Sequence, residues 1–278
     1  MPPGDPKDRS MIPYFNIPPL HLFGPISIQV YGGLLAVGIL VGYQVIIRRV
    51  RLDRFPEPEM RRALIYTFFS GLIGAHVVEL LFYQPQALAE GWSALLRVLT
   101  GLSSIGALFG GLLGLWIFCK RRHLAFVSYL AIVVEGFVVW WAFVRLGCTL
   151  SHDHLGTKTN FLLAVKYPTG ARHNLGLYEF LMVILVLLPI TIISRKRAVA
   201  ARFYVAAIFV AYGTLRFALD YLRADDVIGA DPRYAGLTAA QYGCAVLLAA
   251  GLWMLLPVRP SVQVGRRRRR ISVSEHAT

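Results

Sequence analysis

Long apolar stretches dominate this chain, and short segments rich in arginine separate them. A helix needs ~20 predominantly apolar residues to cross the ~30 Å hydrocarbon core of a bilayer. Because a helix satisfies its own backbone hydrogen bonds in lipid, such stretches predict helices rather than open strands. Seven stretches fit, at 26–47, 63–82, 105–118, 126–146, 177–193, 204–222 and 238–256. The third is short and rich in glycine, and an earlier start near Leu95 is an alternative.

The composition places the chain among membrane proteins. Of its 278 residues, 56% are hydrophobic and 16% are charged, and the mean hydropathy is +0.56. Soluble domains are about half apolar and about a quarter charged. We therefore expect an all-α, polytopic membrane protein of about seven transmembrane helices, forming a single domain over residues 1–278. Residues 1–22 are expected to form an extended arm, and residues 259–278 a basic cytoplasmic tail.

The positions of the basic residues predict the orientation in the membrane. The net charge of +14 would indicate a nucleic-acid partner in a soluble protein. Here 19 of the 29 lysines and arginines lie on one side of the predicted spans, 8 on the other and 2 within them. Since basic residues concentrate in cytoplasmic loops, we expect the N-terminus outside, the C-terminus inside and no nucleic-acid partner. The outer loop at 148–176 should form a small cap, and the basic tail should attract anionic lipid headgroups.

Two arginines lie inside predicted spans, Arg145 in the fourth and Arg216 in the sixth. A charged side chain there costs ~2.5–3.5 kcal/mol on insertion scales, so each needs a compensating partner or a function. Asp220 follows Arg216 by four residues, so the two can pair on one helix face. The arginines could form internal ion pairs or extend to the interface. Alternatively, their planar guanidinium groups could clamp the phosphate of a phospholipid headgroup.

A second polar cluster, His152, Asp153 and His154, begins the outer loop. Two histidines one residue apart could contribute to a metal site, but no further ligand group has suitable spacing. We expect no metal and no cofactor, and assign the cluster to substrate orientation or proton transfer. Cys148 is either a small apolar filler or, less favoured, a nucleophile.

Several motifs, taken in order, resemble those of the bacterial prolipoprotein diacylglyceryl transferases. They are VYGGLLAVG, GLSSIGALFGGLLGLWIFCKRR, RLGCTLSHDHLG, RHNLGLYE, YGTLRFALDYLR and GLTAAQ, and the resemblance extends over residues 23–256. It implies transfer of a diacylglyceryl group from phosphatidylglycerol to the lipobox cysteine thiol in a prolipoprotein signal peptide. The reaction would release glycerol 1-phosphate at the outer face of the bacterial inner membrane.

The resemblance also implies roles for individual residues. Arg145 and Arg216 match the arginines that engage the lipid phosphate, and we expect His152, Asp153 and His154 to share in catalysis. The residues that match the lining of the lipid cavity or the outer cap are Tyr31, His173, Tyr178, Glu179, Asp220, Arg223 and Gln241. Two further candidates for substrate binding, His76 and Cys148, replace an arginine and an asparagine of the family.

At one position the chain departs from the family in a way that affects the chemistry. The third span of the family carries a histidine, and this sequence has Ile105 there. Attack by a thiol requires removal of its proton. The candidates for the base are His76, His152, His154 and His173, and the sequence leaves all four open.

Two other functions remain as alternatives. A divergent paralogue could use the same lipid donor with another acceptor. A transporter of a lipid or small anionic solute would be favoured by internal repeats and interrupted helices at mid-membrane. No repeat is evident in the sequence, and the charges within spans cluster toward the outer half.

Overall fold

The computed structural model describes residues 11–23, 26–86, 101–227 and 230–257. Within them, the apolar stretches form helices α1 (Val30–Leu52), α2 (Glu57–Tyr83), α3 (Ser104–Arg121), α4 (Phe126–Ser151), α5 (Leu175–Lys196), α6 (Ala201–Leu222) and α7 (Ala239–Leu255). The last turns of α2 and α6 are π-helical (Glu79–Tyr83) and 3-10 (Asp220–Leu222), and α5 contains a π-helical segment, Val183–Leu187.

In this part of the chain, six helices are long and apolar enough to cross a membrane, and α7 is a shorter apolar helix. The prediction of a largely helical, polytopic membrane protein is therefore confirmed. Helix α1 begins at Val30 rather than at residue 26, because Ile26–Ile28 pairs with Leu20–Phe23 as a hairpin. Residues 1–10 of the predicted arm lie outside the described residues. An earlier start near Leu95 and the basic tail lie outside the described residues.

Large apolar side chains cover the outside of the helices. Ile73 and Leu185 are each 66% exposed and Trp253 is 70% exposed. In water, a contiguous apolar surface of this kind is unfavourable. Lipid tails are as apolar as these side chains, so the same surface is compatible with a bilayer.

Glycines allow pairs of helices to pack at close range. Between α2 and α3, a Cβ atom at Gly74 would lie 2.5 Å from the carbonyl oxygen of Gly106. Between α1 and α4, a Cβ atom at Gly136 would lie 2.6 Å from the carbonyl oxygen of Gly42. Any larger side chain would push the backbones apart, so these contacts depend on glycine.

A small sheet covers one end of the helices. The strands are β1 (Ile12–Pro13), β2 (Leu20–Phe23), β3 (Ile26–Ile28), β4 (Leu155–Lys158), β5 (Ala164–Tyr167), β6 (Gly170–Asn174), β7 (Arg233–Tyr234) and β8 (Leu237–Thr238). Four of them form a sheet in the order β1-β5-β6-β4, in which β1 is parallel to β5 and the other pairs are antiparallel. Gly156 of β4 also bridges to Arg223, which ties this cap to the segment after α6.

Candidate active site

Two buried arginines from different helices meet at one carboxylate. Arg145 lies near the end of α4 and Arg216 near the end of α6, and they are 3% and 4% exposed. Glu179, in the first turns of α5, is fully buried between them. Its Oε2 atom lies 3.0 Å from Nε of Arg145 and 3.2 Å from Nε of Arg216. The structure thus brings together three residues that the sequence places on three separate helices.

A second set of ion pairs continues from Arg216 toward the cap. Asp220, also fully buried, accepts hydrogen bonds at Oδ1 from Nη1 of Arg216 at 2.6 Å and from Nε of Arg223 at 3.0 Å. The hydroxyl of Thr238 donates to its other oxygen. Nη1 of Arg223 in turn lies 2.8 Å from Oδ2 of Asp231. The pairing of Arg216 with Asp220 on one helix face agrees with the spacing in the sequence.

The contacts with Glu179 are electrostatic rather than well-formed hydrogen bonds. Within the described residues, neither carboxylate oxygen of Glu179 has a hydrogen-bond partner, and the same holds for Nε of Arg145. The Arg145 guanidinium stacks 4.2 Å from the ring centroid of Trp141, and its Nη1 atom lies 3.9 Å from Sγ of Cys148. Two guanidinium groups with a shared counter-ion, one of which has an unused Nε donor, are suited to holding an oxyanion.

Gln241 stabilises the start of α7. Thr238 and Gln241 form a reciprocal capping box, in which each side chain bonds to the backbone N–H of the other. The amide nitrogen of Gln241 also donates to the carbonyl oxygen of Phe217 at 3.4 Å. This capping box holds the Thr238 hydroxyl beside Asp220. Gln241 therefore contributes to the site by stabilising the start of α7.

His152 attaches the N-terminal arm to the cap. It ends α4 in the left-handed conformation, with φ at 57°. Its Nδ1 atom lies 3.2 Å from the hydroxyl of Tyr167, and its Nε2 atom lies 2.9 Å from the carbonyl oxygen of Phe15. The ring of Tyr14 packs against it, with centroids 4.8 Å apart. The neighbouring Asp153 is exposed.

Two other predicted residues, His173 and Tyr178, contact each other. In the cap, Nδ1 of His173 lies 2.7 Å from the hydroxyl of Tyr178. Burial lowers the pKa of His173 below its ordinary value. Cys148 is buried, and a Cβ atom at the adjacent Gly147 would lie 3.0 Å from the ring of Tyr31. Tyr31 therefore packs on α4 at Gly147, two residues after Arg145.

Ile105 packs against α7 at Gly243, where the absence of a side chain leaves room for it. A Cβ atom at Gly243 would lie 3.0 Å from both Cδ1 and Cγ2 of Ile105. The isoleucine therefore fills an apolar contact between α3 and α7. His76 is buried on α2, next to Ala75, whose carbonyl oxygen accepts from the backbone N–H of Ser103 at the start of α3.

Glu135 was not predicted from the sequence as a functional residue. It lies on α4, toward the opposite end of that helix from Arg145. A cavity of about 250 Å³ there is lined by Arg49, Glu135, Arg195 and Tyr204, among others. Glu135 is buried, and its carboxylate oxygens lie 3.4 Å from Nε of Arg49 and 4.0 Å from Nη1 of Arg195. The only signal in the sequence is an acidic residue inside the fourth apolar stretch. Elsewhere in the described ranges, no three His, Cys, Asp or Glu residues are grouped to hold a metal ion.

Comparison with known proteins gives matches over nearly the whole chain. A family model described as prolipoprotein diacylglyceryl transferase matches residues 18–257. A relative from Tolumonas auensis is 26% identical over 258 residues, which cover 88% of this chain and 92% of the relative. One from Nitratidesulfovibrio vulgaris (strain DSM 19637 / Miyazaki F) is 26% identical over 269 residues, covering 91% and 98%. One from Ectopseudomonas mendocina is 28% identical over 256 residues, covering 88% and 95%. All three are named phosphatidylglycerol–prolipoprotein diacylglyceryl transferase.

Proposed function

Because the chain belongs to the prolipoprotein diacylglyceryl transferase family, we propose that it transfers a diacylglyceryl group from phosphatidylglycerol to the lipobox cysteine of a prolipoprotein. The names of its relatives support this activity, and the matches cover most of their length. In the reaction, the cysteine sulfur bonds to the terminal glycerol carbon of the diacylglyceryl group. The bond from that carbon to the phosphate oxygen breaks, and glycerol 1-phosphate leaves with the electron pair.

The convergence of Arg145 and Arg216 on one carboxylate oxygen of Glu179 carries the site assignment. A phosphate group has the same sign of charge and accepts from the same donors. A lipid phosphate that enters between the helices would take over the arginines from Glu179. Negative charge then grows on the phosphate oxygen as its bond to carbon breaks, and the two guanidinium groups stabilise that charge.

The proposed topology puts this site on the outer side of a bacterial inner membrane. All seven helices would cross the bilayer, with the N-terminus outside, so that the cap and the arginine cluster lie at the outer face. The basic loops support this orientation. The basic tail at 259–278 would then lie in the cytoplasm, where it can attract anionic headgroups. Cysteine scanning with a membrane-impermeant reagent tests the orientation directly.

A transfer assay with matched variants tests the function. Purified protein is incubated with labelled phosphatidylglycerol and a lipobox peptide, and label on the cysteine is measured. Arg145→Lys and Arg216→Lys keep the positive charge but lose the planar fork, so we expect turnover to fall by ~100-fold or more. Arg61→Lys is the control, because Arg61 is an exposed arginine that pairs with Glu57 on α2.

The outcomes separate the function from the site. A wild-type protein that leaves the peptide unlabelled would contradict the proposed transfer, and lipid consumption without peptide labelling would indicate another acceptor. Full turnover by the Arg145→Lys variant would contradict the phosphate site. The comparisons give no support to transport.

A further inference from the structure

The two arginines of the cluster are held in different ways. Nη1 of Arg216 donates to Asp220 at 2.6 Å, a short charge-assisted hydrogen bond that fixes the direction of its guanidinium. The hydrogen bonds of Arg145 are weaker. Within the described residues its Nε atom has no hydrogen-bond partner, and its Nη1 atom donates at 3.9 Å to the sulfur of Cys148, a weak acceptor. Another contact must therefore orient the plane of the Arg145 guanidinium.

The indole ring of Trp141 supplies that contact. The central carbon of the Arg145 guanidinium lies over this ring, 4.2 Å from its centroid, which is well within the range of a cation–π interaction. Both residues are buried, and the attraction is larger for a desolvated cation than for an exposed one. Since the two residues are four apart on α4, about one helical turn, the helix itself brings the ring and the guanidinium together.

Other aromatic rings hold Trp141 in place. One turn earlier on α4, the ring of Phe137 stacks on it, with centroids 5.3 Å apart and 19° between the planes. From α6, the ring of Tyr212 meets it edge-on, with centroids 6.4 Å apart. Tyr212 precedes Arg216 by four residues, so the indole contacts both helices that carry the arginines. Its Nε1 atom has no hydrogen-bond partner in the described part of the chain, so packing holds the ring.

Trp141 lies on the side of the cluster away from the cap. It precedes Arg145 by one turn on α4, and the cap begins where that helix ends. On the cap side, the carbonyl oxygen of His154 accepts from the backbone N–H of Leu175 at 3.1 Å. The buried indole ring keeps water from the opposite side of Arg145. An electrostatic contact is stronger where water is excluded, so the stacking of Trp141 on Arg145 is favourable here.

We propose that Trp141 is a positioning residue for the lipid donor: its indole ring holds the Arg145 guanidinium in the plane in which it receives the phosphate beside Arg216. This inference rests on the proposed function. A guanidinium binds phosphate through two parallel N–H donors, so the direction of its plane decides whether both donors reach the oxygens. When the lipid phosphate takes the place of Glu179, the ring remains against Arg145 and the guanidinium keeps its direction.

A double-mutant cycle on Trp141 and Arg145 tests the proposal in the full-length protein. Two quantities are measured per folded molecule: kcat/KM for transfer to the lipobox peptide, and the dissociation constant for phosphatidylglycerol in mixed micelles. Trp141→Leu should lower kcat/KM by ~10- to 30-fold and weaken lipid binding by ~10-fold, because it removes a desolvated cation–π contact. Trp141→Phe keeps an aromatic face against the guanidinium and should stay within about threefold of the wild type.

The Arg145→Lys background separates positioning from a purely structural role. Lysine has no planar fork to orient, so adding Trp141→Leu to Arg145→Lys should change both quantities by less than about threefold. A ring with a structural role alone would cause the same loss in both backgrounds. Trp140→Leu is the matched control, because Trp140 is the neighbouring residue on α4 and packs against Gly38 of α1. It should keep kcat/KM per folded molecule within about threefold of the wild type.

The possible results are distinguishable from one another. Equal losses in the two backgrounds, a Trp141→Phe variant as impaired as Trp141→Leu, or wild-type values for folded Trp141→Leu would each overturn the inference and leave the proposed function intact. If Trp141→Leu does not fold, Trp141→Met, whose flexible side chain fills irregular space, takes its place in the cycle. If the wild type binds phosphatidylglycerol but leaves the peptide unlabelled, the proposed function fails, and the cycle on the dissociation constant still decides the role of Trp141. A wild type that does not bind the lipid contradicts both.

Discussion

Replacing Glu179 with glutamine should destabilise the protein, because it removes the shared counter-ion of two buried arginines. The carboxylate is fully buried, and the arginines are 3% and 4% exposed. Its contacts with their Nε atoms, at 3.0 and 3.2 Å, cannot be replaced by water in the closed site. Glutamine keeps the size of the side chain and leaves Arg145 without its ion pair.

The magnitude follows from the burial. Removing one partner of a buried ion pair costs about 3–5 kcal/mol, since the remaining charge stays desolvated. At about 1.4 kcal/mol per tenfold change, the folded-to-unfolded ratio should fall by about two to three and a half powers of ten. Equilibrium unfolding in mixed detergent micelles measures this change.

Glu57→Gln provides the matched control. Glu57 also lies between two arginines, Arg51 and Arg61, but those side chains are 67% and 48% exposed. Ion pairs at an exposed position contribute little, so this variant should unfold like the wild type. Equal stability of the Glu179→Gln variant and the wild type, or equal losses in the two variants, would refute the reasoning.

A lipid-dependent readout connects stability with the phosphate site. The Glu179→Gln site carries one more net positive charge, so a lipid phosphate should bind the folded variant and restore part of the lost stability. Micelles containing phosphatidylglycerol should raise the unfolding midpoint of this variant more than that of Glu57→Gln. No difference between the two would argue against phosphate binding at Arg145 and Arg216.

Three further predictions concern the packing of α1 on α4, the N-terminal capping residue of α7, and an ion pair of the outer cap. Gly136→Val should separate α1 from α4 and lower the thermal midpoint in detergent, whereas Gly32→Ala, with no neighbour within 4 Å of its added Cβ atom, should leave it unchanged. Thr238→Ala removes both the cap of α7 and a hydrogen bond to a buried carboxylate, and it should cost about 1–3 kcal/mol in the same unfolding assay. The hydrogen bond from Arg172 lowers the pKa of Asp226. Above the ordinary aspartate pKa, this ion pair should stabilise the outer cap. That stabilisation should be lost as the pH falls through the lowered pKa. Hydrogen exchange of the cap amides against pH measures that transition, and Asp226→Asn should abolish it.

Much of the fold was predictable because membrane insertion leaves local signals. Apolar length and basic flanks are properties of contiguous sequence, so the apolar helices could be identified to within six residues of their observed bounds. The start of α1 was placed four residues early, because Ile26–Ile28 is as apolar as the helix that follows and only its pairing with Leu20–Phe23 makes it a strand. The pairing of Arg216 with Asp220 was predictable for the same local reason, since four residues span about one helical turn.

Tertiary structure alone decided which charges share a partner. Arg145, Glu179 and Arg216 lie on three helices, and no periodicity within one helix encodes contacts between them. In the same way, the packing of Ile105 on Gly243 and the engagement of His152 by the N-terminal arm depend on segments far apart in the chain. The sequence by itself determined that Arg145 and Arg216 lie within long apolar stretches. The helix packing decided that they meet at one buried carboxylate, because only the folded chain excludes the water that would otherwise solvate each charge separately.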